Sequence, residues 1–278
     1  MHFKFQIEKE SIVKEYILEK GISRNLGRKI KLYGEIFING KRAENYYPLK
    51  AGDVLTIFLP ETTNPDIIPV SKPLEVLYED NDLLIINKPS NLSTQPSKKH
   101  LDDNLIGRIK YYYQQKGIKG NIHVVTRLDY ATSGLVLVGK NGFIHHRLSQ
   151  IEIKKDYLAK VEGILKEKRG SINLPIKRLE GDRLRRQTAA DGKMALTLYK
   201  VLFENSDSSF LKLRIKTGRC HQIRVHLSAL GHPVIGDKLY GNGRELLYLH
   251  SYRLSFIHPV SNQKVEVESI PFWLNSKL

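Results

Sequence analysis

Residues 210–216 read Phe210-Leu211-Lys212-Leu213-Arg214-Ile215-Lys216. Leu211, Leu213 and Ile215 alternate with Lys212, Arg214 and Lys216, the period of two that turns one apolar face to a core and one cationic face outward. That is the pattern of a half-covered antiparallel strand. Thr217-Gly218-Arg219 then turns the chain into a helix from about His221 to Leu230, in which Ile223, Leu227 and Leu230 reach the core and which Gly231 and Pro233 end. Upstream, Ala195 to Phe203 reads as a neighbouring strand, and Asp156 to Leu165 as another that begins at Tyr157. Between them, 177–186 carries Lys177, Arg178, Arg183, Arg185 and Arg186 with few apolar residues. It reads as a mobile basic loop able to neutralise phosphates, with a merely solvated loop as the alternative on charge alone. A Gly-rich turn at 236–243 and strand-like runs around 247–256 and 264–267 close the chain. Strands outnumber helices and tight turns join several of them, so the fold class is α+β with a mainly antiparallel mixed sheet flanked by helices and loops.

Toward the N-terminus, the run Leu135 to Val138 is a buried strand preceded by the polar loop Thr126-Arg127-Leu128-Asp129-Tyr130-Ala131-Thr132-Ser133-Gly134. Leu83 to Asn87 is a second apolar strand, passing into a polar surface loop over 92–100. Leu105, Ile109 and Tyr112 predict a helix within 102–117, with Asp102 or Asp103 as cap and Gly117 as stop, and Tyr111 to Tyr113 as half-buried core. Before Pro60, helical spacing of Ile12, Val13, Tyr16 and Ile17 predicts a helix over 10–20. Ser23 caps a second helix on which Arg24, Arg28 and Lys31 share a face. Glu35 to Ile38 and Lys41 to Ala43 flank Asn39-Gly40, a hairpin turn that needs positive φ, and Gly52-Asp53 leads into a strand over 54–59. The chain therefore divides into a small domain at 1–60, a Pro-rich connector at 61–74 and a large domain at 75–278.

The 278 residues carry a formal net charge of +16, with a pI of about 9.7, which favours a polyanionic partner: nucleic acid first, an acidic membrane surface second. No apolar run is long enough for a membrane span and no apolar signal core opens the chain, so a cytoplasmic protein is expected. The single cysteine, Cys220, excludes an internal disulfide and a thiolate metal cluster and reads as a small buried filler. His221, His226, His232 and His250 do not make a metal set, because His221 and His226 lie five apart on a helix and project differently. Ser133 has no strand-to-helix elbow and no assignable base, and no Gly-rich phosphate cradle is present. A carboxylate among cations remains, with neither cofactor nor metal implied.

Several separated motifs make this chain similar to the RluA-type pseudouridine synthase family. They are Asn87-Lys88-Pro89, Arg127-Leu128-Asp129 with Thr132-Ser133-Gly134, Lys155-Asp156-Tyr157, the run Thr217 to His226, Gly231-His232-Pro233 and Gly236-Asp237. The resemblance covers about residues 75 to 270 in order. It implies isomerisation of uridine in RNA without a cofactor, by breaking the glycosidic bond to ring nitrogen and remaking it to ring carbon. It also implies that Asp129 is the catalytic carboxylate, Arg224 its charge partner and Tyr157 the ring against the uracil. Ile215 would cover the other side of the base, and Arg127 would fill the stack left by a flipped uridine. Arg219, His221 and Gln222 fall in the matched substrate-binding run. Asp129 as nucleophile or as base are both open.

The first sixty residues resemble the small RNA-binding domain of a small-subunit ribosomal protein and tyrosyl-tRNA synthetases, on Arg28-Lys29-Ile30, Gly34 through Gly40 and Gly52-Asp53. That likeness implies RNA contacts at Arg24, Arg28, Lys29 and Lys31, joined by Arg183, Arg185 and Arg186 of the basic loop. The chain departs from the larger family's pattern at Thr126 (usually histidine), Asn91 (usually glycine) and Cys220 (usually threonine). Asn91 suits a left-handed position. The partner is RNA, with ribosomal RNA preferred over transfer RNA, acted on by a monomer without a membrane. A non-catalytic RNA-binding or ribosome-assembly protein is the competing reading.

Overall fold

The protein is described by a computed structural model covering residues 2–60, 67–96, 102–243 and 246–274. Its N-terminal part contains β1 (His2–Gln6), β2 (Ser11–Ile12), α1 (Val13–Glu19), α2 (Arg24–Tyr33), β3 (Glu35–Ile38), β4 (Lys41–Ala43), β5 (Pro48–Leu49) and β6 (Val54–Phe58). Local chemistry sets its boundaries. Gly21, at φ +83°, ends the first helix, and the Ser23 hydroxyl accepts from Leu26 N–H at 3.2 Å to start the second. Asn39 (φ +50°) and Gly40 (φ +80°) make the β3–β4 turn. The Asn39 amide also accepts from Val54 N–H and donates to Asp53, both at 2.8 Å, so the hairpin tip is tied to β6. β1 was not anticipated; it pairs with β6 to complete the sheet order β1-β6-β3-β4. Val13, Tyr16, Ile17, Ile30, Leu55 and Ile57 belong to a core of its own.

The remainder contains β7 (Glu75–Glu79), β8 (Leu83–Lys88), α3 (Leu105–Gln115), β9 (His123–Val124), β10 (Ser133–Gly139), α4 (Gly142–Ser149), β11 (Lys154–Glu162), β12 (Arg169–Asn173), β13 (Ile176–Arg178), β14 (Arg186–Thr188), β15 (Leu196–Glu204), β16 (Ser208–Ile215), α5 (Gln222–Ala229), β17 (Leu249–Ile257) and β18 (Lys264–Glu268). The main sheet runs β12-β15-β16-β11-β17-β10-β8-β7, with β18 on β17 and β9 on β10. Its pairs are antiparallel except β10 with β17, a short parallel junction at Ser133–His250 and Gly134–Ser251. The expected α+β class with a mainly antiparallel sheet is what forms. β8 and β10 lack alternation because both their faces are covered: Leu84, Ile86, Val136 and Val138 join one core and Leu83, Ile85, Leu135 and Leu137 the other. β16 does alternate, with Leu211 and Leu213 in the first core. Among the described residues no helix is long and apolar enough to cross a membrane.

One expectation needs correction and another is met in part. The cap of α3 is Asn104, whose carbonyl oxygen accepts from Gly107 N–H at 2.8 Å, while Asp103 is engaged by Arg108 and Lys72. The basic stretch 177–186 is a loop over 179–185, as expected, but its ends are paired in the hairpin β13–β14, with Ile176, Lys177 and Arg178 opposite Thr188, Gln187 and Arg186. Of the expected connector, 61–66 lies outside the described residues, as do 97–100 of the polar loop. Residues 67–74 form no helix or strand, and Val70 is buried there with its N–H bonding Gly107 O at 2.9 Å. α4 also touches the N-terminal part, through Phe143 edge-on to Phe3 at 5.1 Å and Arg147 donating to Lys20 O.

Candidate active site

The parallel junction in the middle of the sheet sets where the Asp129 loop lies, because β10 starts there and the loop ends on its first residue. Gly134, at φ +109°, allows the approach: a Cβ on it would stand 2.3 Å from Ser251 O. Every carbonyl from Leu128 to Ala131 has a donor. Thr94 Oγ1 donates to Leu128 O (2.8 Å), Thr132 N to Asp129 O (3.2 Å), Leu92 N to Tyr130 O (3.2 Å) and Ser90 Oγ to Ala131 O (2.6 Å). Segment 88–94 is thus a strap across the loop. Asn91 in it has φ +57°, the left-handed conformation expected where the family has glycine.

Lys88 anchors the strap from below. Its side chain is wholly buried, and its ammonium reaches Pro89 O (2.9 Å), Leu92 O (2.9 Å) and Tyr130 O (3.3 Å), one carbonyl for each proton. Burial pulls its pKa down to about 7, against the charge of nearby Asp129. Sequence reasoning quoted Lys88 inside a motif but assigned it no role. A lysine flanked by apolar strand residues and followed by proline was the available signal.

Above the loop is a cavity of about 480 Å³ lined by Arg127, Asp129, Tyr157, Ile215, Arg219, His221, Gln222 and Arg224. These eight are the catalytic and substrate-binding residues singled out from sequence, drawn from the loop, β11, β16 and the start of α5. Arg224 Nη1 lies 3.5 Å from Asp129 Oδ2. Its stronger partner is Asp237: Nε meets Oδ2 and Nη2 meets Oδ1, both at 2.7 Å, in a bidentate pair in which both side chains are buried. Burial alone would raise the Asp237 pKa, but the Arg224 hydrogen bonds and charge outweigh it and lower it. Asp237 was quoted in a motif and given no role. It holds the guanidinium so that Nη1 is left to face Asp129.

Tyr157 is buried, and its phenol is pushed above its ordinary range by burial first and the charge of Asp129 second, so it keeps its proton at neutral pH. His221 caps α5 in the left-handed conformation, φ +56°, with Nδ1 2.9 Å from Tyr240 Oη and Nε2 3.8 Å from Asp129 Oδ2. The Tyr240 oxygen accepts from Arg186 N–H at 2.7 Å, so its O–H is free to donate to Nδ1, and the remaining imidazole proton faces Asp129. Burial lowers the His221 pKa, so this contact is a neutral N–H rather than an ion pair. The same link fastens the basic hairpin to the site. Gln222 is fully engaged within the protein: it accepts from Thr217 and Arg219 N–H and donates to Leu196 O and Thr197. Arg127 is exposed, without a hydrogen-bond or ion-pair partner among the described residues.

The other two departures resolve differently. Thr126 is buried, and its hydroxyl accepts from Leu137 N–H at 2.8 Å, a structural task. Cys220 is exposed on the cavity wall rather than a buried filler. Partial burial and the charge of Asp129 raise its thiol pKa. Ser133 does have a histidine partner, contrary to expectation: His250 Nδ1 is 2.8 Å from its Oγ. His250 Nε2 meets Ser269 O at 3.0 Å, so Ser133 donates and the pair pins β10 to β17 inside the core.

Two groups among the described residues bring metal-type donors together, Asp129 with Cys220 and His221, and Asp80 with Asp82 and His258. In the first, the thiol retains its proton. In the second, His258 Nδ1 accepts from Val260 and Ser261 N–H, so Nε2, 3.2 Å from Asp80 Oδ2, carries the proton, and a protonated nitrogen is not a ligand. On α2, Arg24, Arg28 and Lys31 lie together on the outer face, Lys31 over the Tyr46 ring at 5.7 Å. Lys29 falls on the opposite side. Arg183 and Arg185 are exposed at the tip of the β13–β14 hairpin and Arg186 is partly buried beside Tyr240.

The RNA pseudouridylate synthase family profile matches residues 82–229. An uncharacterized RNA pseudouridine synthase of Bacillus subtilis, YjbO, is 40% identical over 262 residues, which span 91% of this chain and 93% of that protein. Ribosomal large subunit pseudouridine synthase D of Buchnera aphidicola is 32% identical over 266 residues, 87% of this chain and 84% of that one. Among solved structures, human RNA pseudouridylate synthase domain containing 1 superposes with a TM-score of 0.60 at 28% identity, covering 73% of this chain and 86% of its own.

Proposed function

The chain belongs to the RNA pseudouridylate synthase family, in its RluA-type branch, and is an RNA pseudouridine synthase; from that premise we propose that Asp129 is its catalytic carboxylate and Arg224 the charge partner beside it. The single observation that carries this reading is the Arg224–Asp129 approach of 3.5 Å in a cavity that Tyr157 and Ile215 also line. An extruded uridine entering there has a carboxylate at its sugar, an aromatic ring on one side of the base and an aliphatic wall on the other. The bond from C1′ to N1 breaks, the uracil turns, a bond from C1′ to C5 replaces it, and C5 gives up its proton while the freed N1 takes one up. Asp129 assists by attack on the sugar or by removing a ribose proton. Tyr157, which keeps its own proton, orients the base. Arg127, exposed and without a partner among the described residues, fills the vacated stack. Arg219 and His221 line the approach, and Gln222 acts through the 217–222 turn that it holds.

The small unit at 1–60 is an RNA-binding domain joined through 61–74 to the catalytic domain at 75–278. Arg24, Arg28, Lys29 and Lys31, with Arg183, Arg185 and Arg186, contact the RNA backbone. Ribosomal RNA is the preferred substrate, supported by the likeness to the Buchnera enzyme and by an appended basic unit suited to a large structured target. The protein acts as a cytoplasmic monomer. Asp129→Asn and Asp129→Ala are expected to fold and bind RNA but form no pseudouridine. Turnover by either would remove Asp129 from this role. Pseudouridine mapping of total RNA with and without the gene identifies the target, and loss confined to transfer RNA would overturn the ribosomal assignment.

A further inference from the structure

A second cavity, of about 620 Å³, lies between the N-terminal unit and the catalytic sheet and shares no lining residue with the first. One wall is α2, which presents Leu26, Lys29 and Tyr33 at i, i+3 and i+7. At 100° per residue this face is opposite the one bearing Arg24, Arg28 and Lys31. The facing wall includes Ile118 and Lys119. No carboxylate lines the cavity among the described residues, and neither Lys29 nor Lys119 has an ion-pair partner there. Tyr33 stands at the rim with 67% of its surface exposed. A lone exposed tyrosine needs no explanation. A tyrosine beside two unpaired lysines, at an apolar hollow in a chain of net charge +16, has the composition of a single-strand nucleic-acid subsite: a stacking platform flanked by phosphate-binding cations.

We propose that this cavity is a second RNA subsite, which takes one unpaired base against Tyr33 with the flanking phosphates on Lys29 and Lys119. The proposal rests on the RNA pseudouridine synthase reading and extends it: RNA is gripped by the inner face of α2 as well as at the flipped uridine. An acidic peptide would satisfy the lysines but would not need the ring.

The test uses the full chain and a labelled twelve-nucleotide oligouridylate, followed by fluorescence anisotropy across a salt series. Tyr33→Ala is expected to weaken binding about fivefold or more, and Tyr33→Phe to stay within about twofold, because stacking requires the ring and not the hydroxyl. Replacing Lys29 and Lys119 together by Ala is expected to flatten the slope of log affinity against log salt by about 1.4, roughly 0.7 per phosphate contact on a single strand. Parent-like binding by Tyr33→Ala and by the double lysine variant, with loss only on Arg24→Ala or Arg28→Ala, would overturn the subsite and place RNA on the outer face alone. Polyglutamate competing equally in parent and Tyr33→Ala would overturn it in favour of a protein partner. Asp129→Asn assayed alongside separates the two readings: its inactivity preserves the pseudouridine assignment even if the subsite fails.

Discussion

Asp237→Asn tests the idea that Arg224 serves catalysis only because a second carboxylate orients it. The substitution keeps volume and one acceptor oxygen but removes the charge opposite a guanidinium whose side chain is 7% exposed, while Asp237 itself is fully buried. Removing one partner of a buried ion pair costs about 3–5 kcal/mol, because the other charge is left uncompensated. At about 2–4 °C per kcal/mol for a domain of this size, the thermal midpoint should fall by about 6–20 °C. The freed guanidinium should also swing toward Asp129, the nearest remaining carboxylate at 3.5 Å. An ångström of misplacement can cost about a hundredfold in rate, so turnover measured below the new midpoint should fall by at least tenfold. A second variant separates the effects. Asp237→Leu combined with Arg224→Met removes both charges, and apolar replacement of a whole buried pair is often neutral. Part of the lost stability should return, short of what the Leu239 and Tyr240 N–H bonds to Asp237 Oδ1 contribute, while turnover stays absent. The assays are thermal unfolding by circular dichroism and pseudouridine formation on total RNA from a strain lacking the gene. An Asp237→Asn protein that melts within about 2 °C of the parent and turns over normally would refute the reasoning.

Lys88→Met should remove a pH dependence of stability. The native pKa of Lys88, about 7, lies below its ordinary value of 10.5, so between these values the unfolded chain binds more protons and the parent gains stability as pH rises. From pH 7 to 9 the parent should gain about 2–3 kcal/mol relative to Lys88→Met, and denaturation curves that keep a constant spacing over that range would sink the assignment. Gly134→Ala adds a Cβ at 2.3 Å from Ser251 O at a positive φ and should cost on the order of 3 kcal/mol, prising β10 from β17. An unchanged urea midpoint would show that the junction can yield.

The elements that were legible are those encoded within a few residues. Ser23 before a basic helix, Asn39-Gly40 between short strands, and the alternation of Leu211, Leu213 and Ile215 each carry their own instruction, and each formed as expected. Local signals failed where a neighbour competed. Asp102 and Asp103 both suited the cap of α3, but Arg108 and Lys72 drew Asp103 away and Asn104 took the position. The stretch 177–186 reads as a solvated loop by composition and is one over 179–185, but Ile176 is buried and the Tyr240 hydroxyl holds Arg186 N–H, so its two ends pair as a short hairpin. β1 carries too short an alternation to declare itself without β6 beside it.

The sequence by itself determined the α+β class, because strand period, turns and caps depend on residues within a few positions of one another, and its ordered motifs, through the family resemblance they carry, named eight of the side chains that line the first cavity. It could not assign the partners of those side chains. Asp129 and Arg224 are 95 positions apart, Lys88 and Tyr130 are 42 apart, and Arg224 reaches Asp237 across the end of α5. Which carboxylate a guanidinium prefers, and which carbonyls a buried ammonium serves, follow from how deeply each is removed from water. Only the folded sheet, closed at the β10–β17 junction, sets that depth.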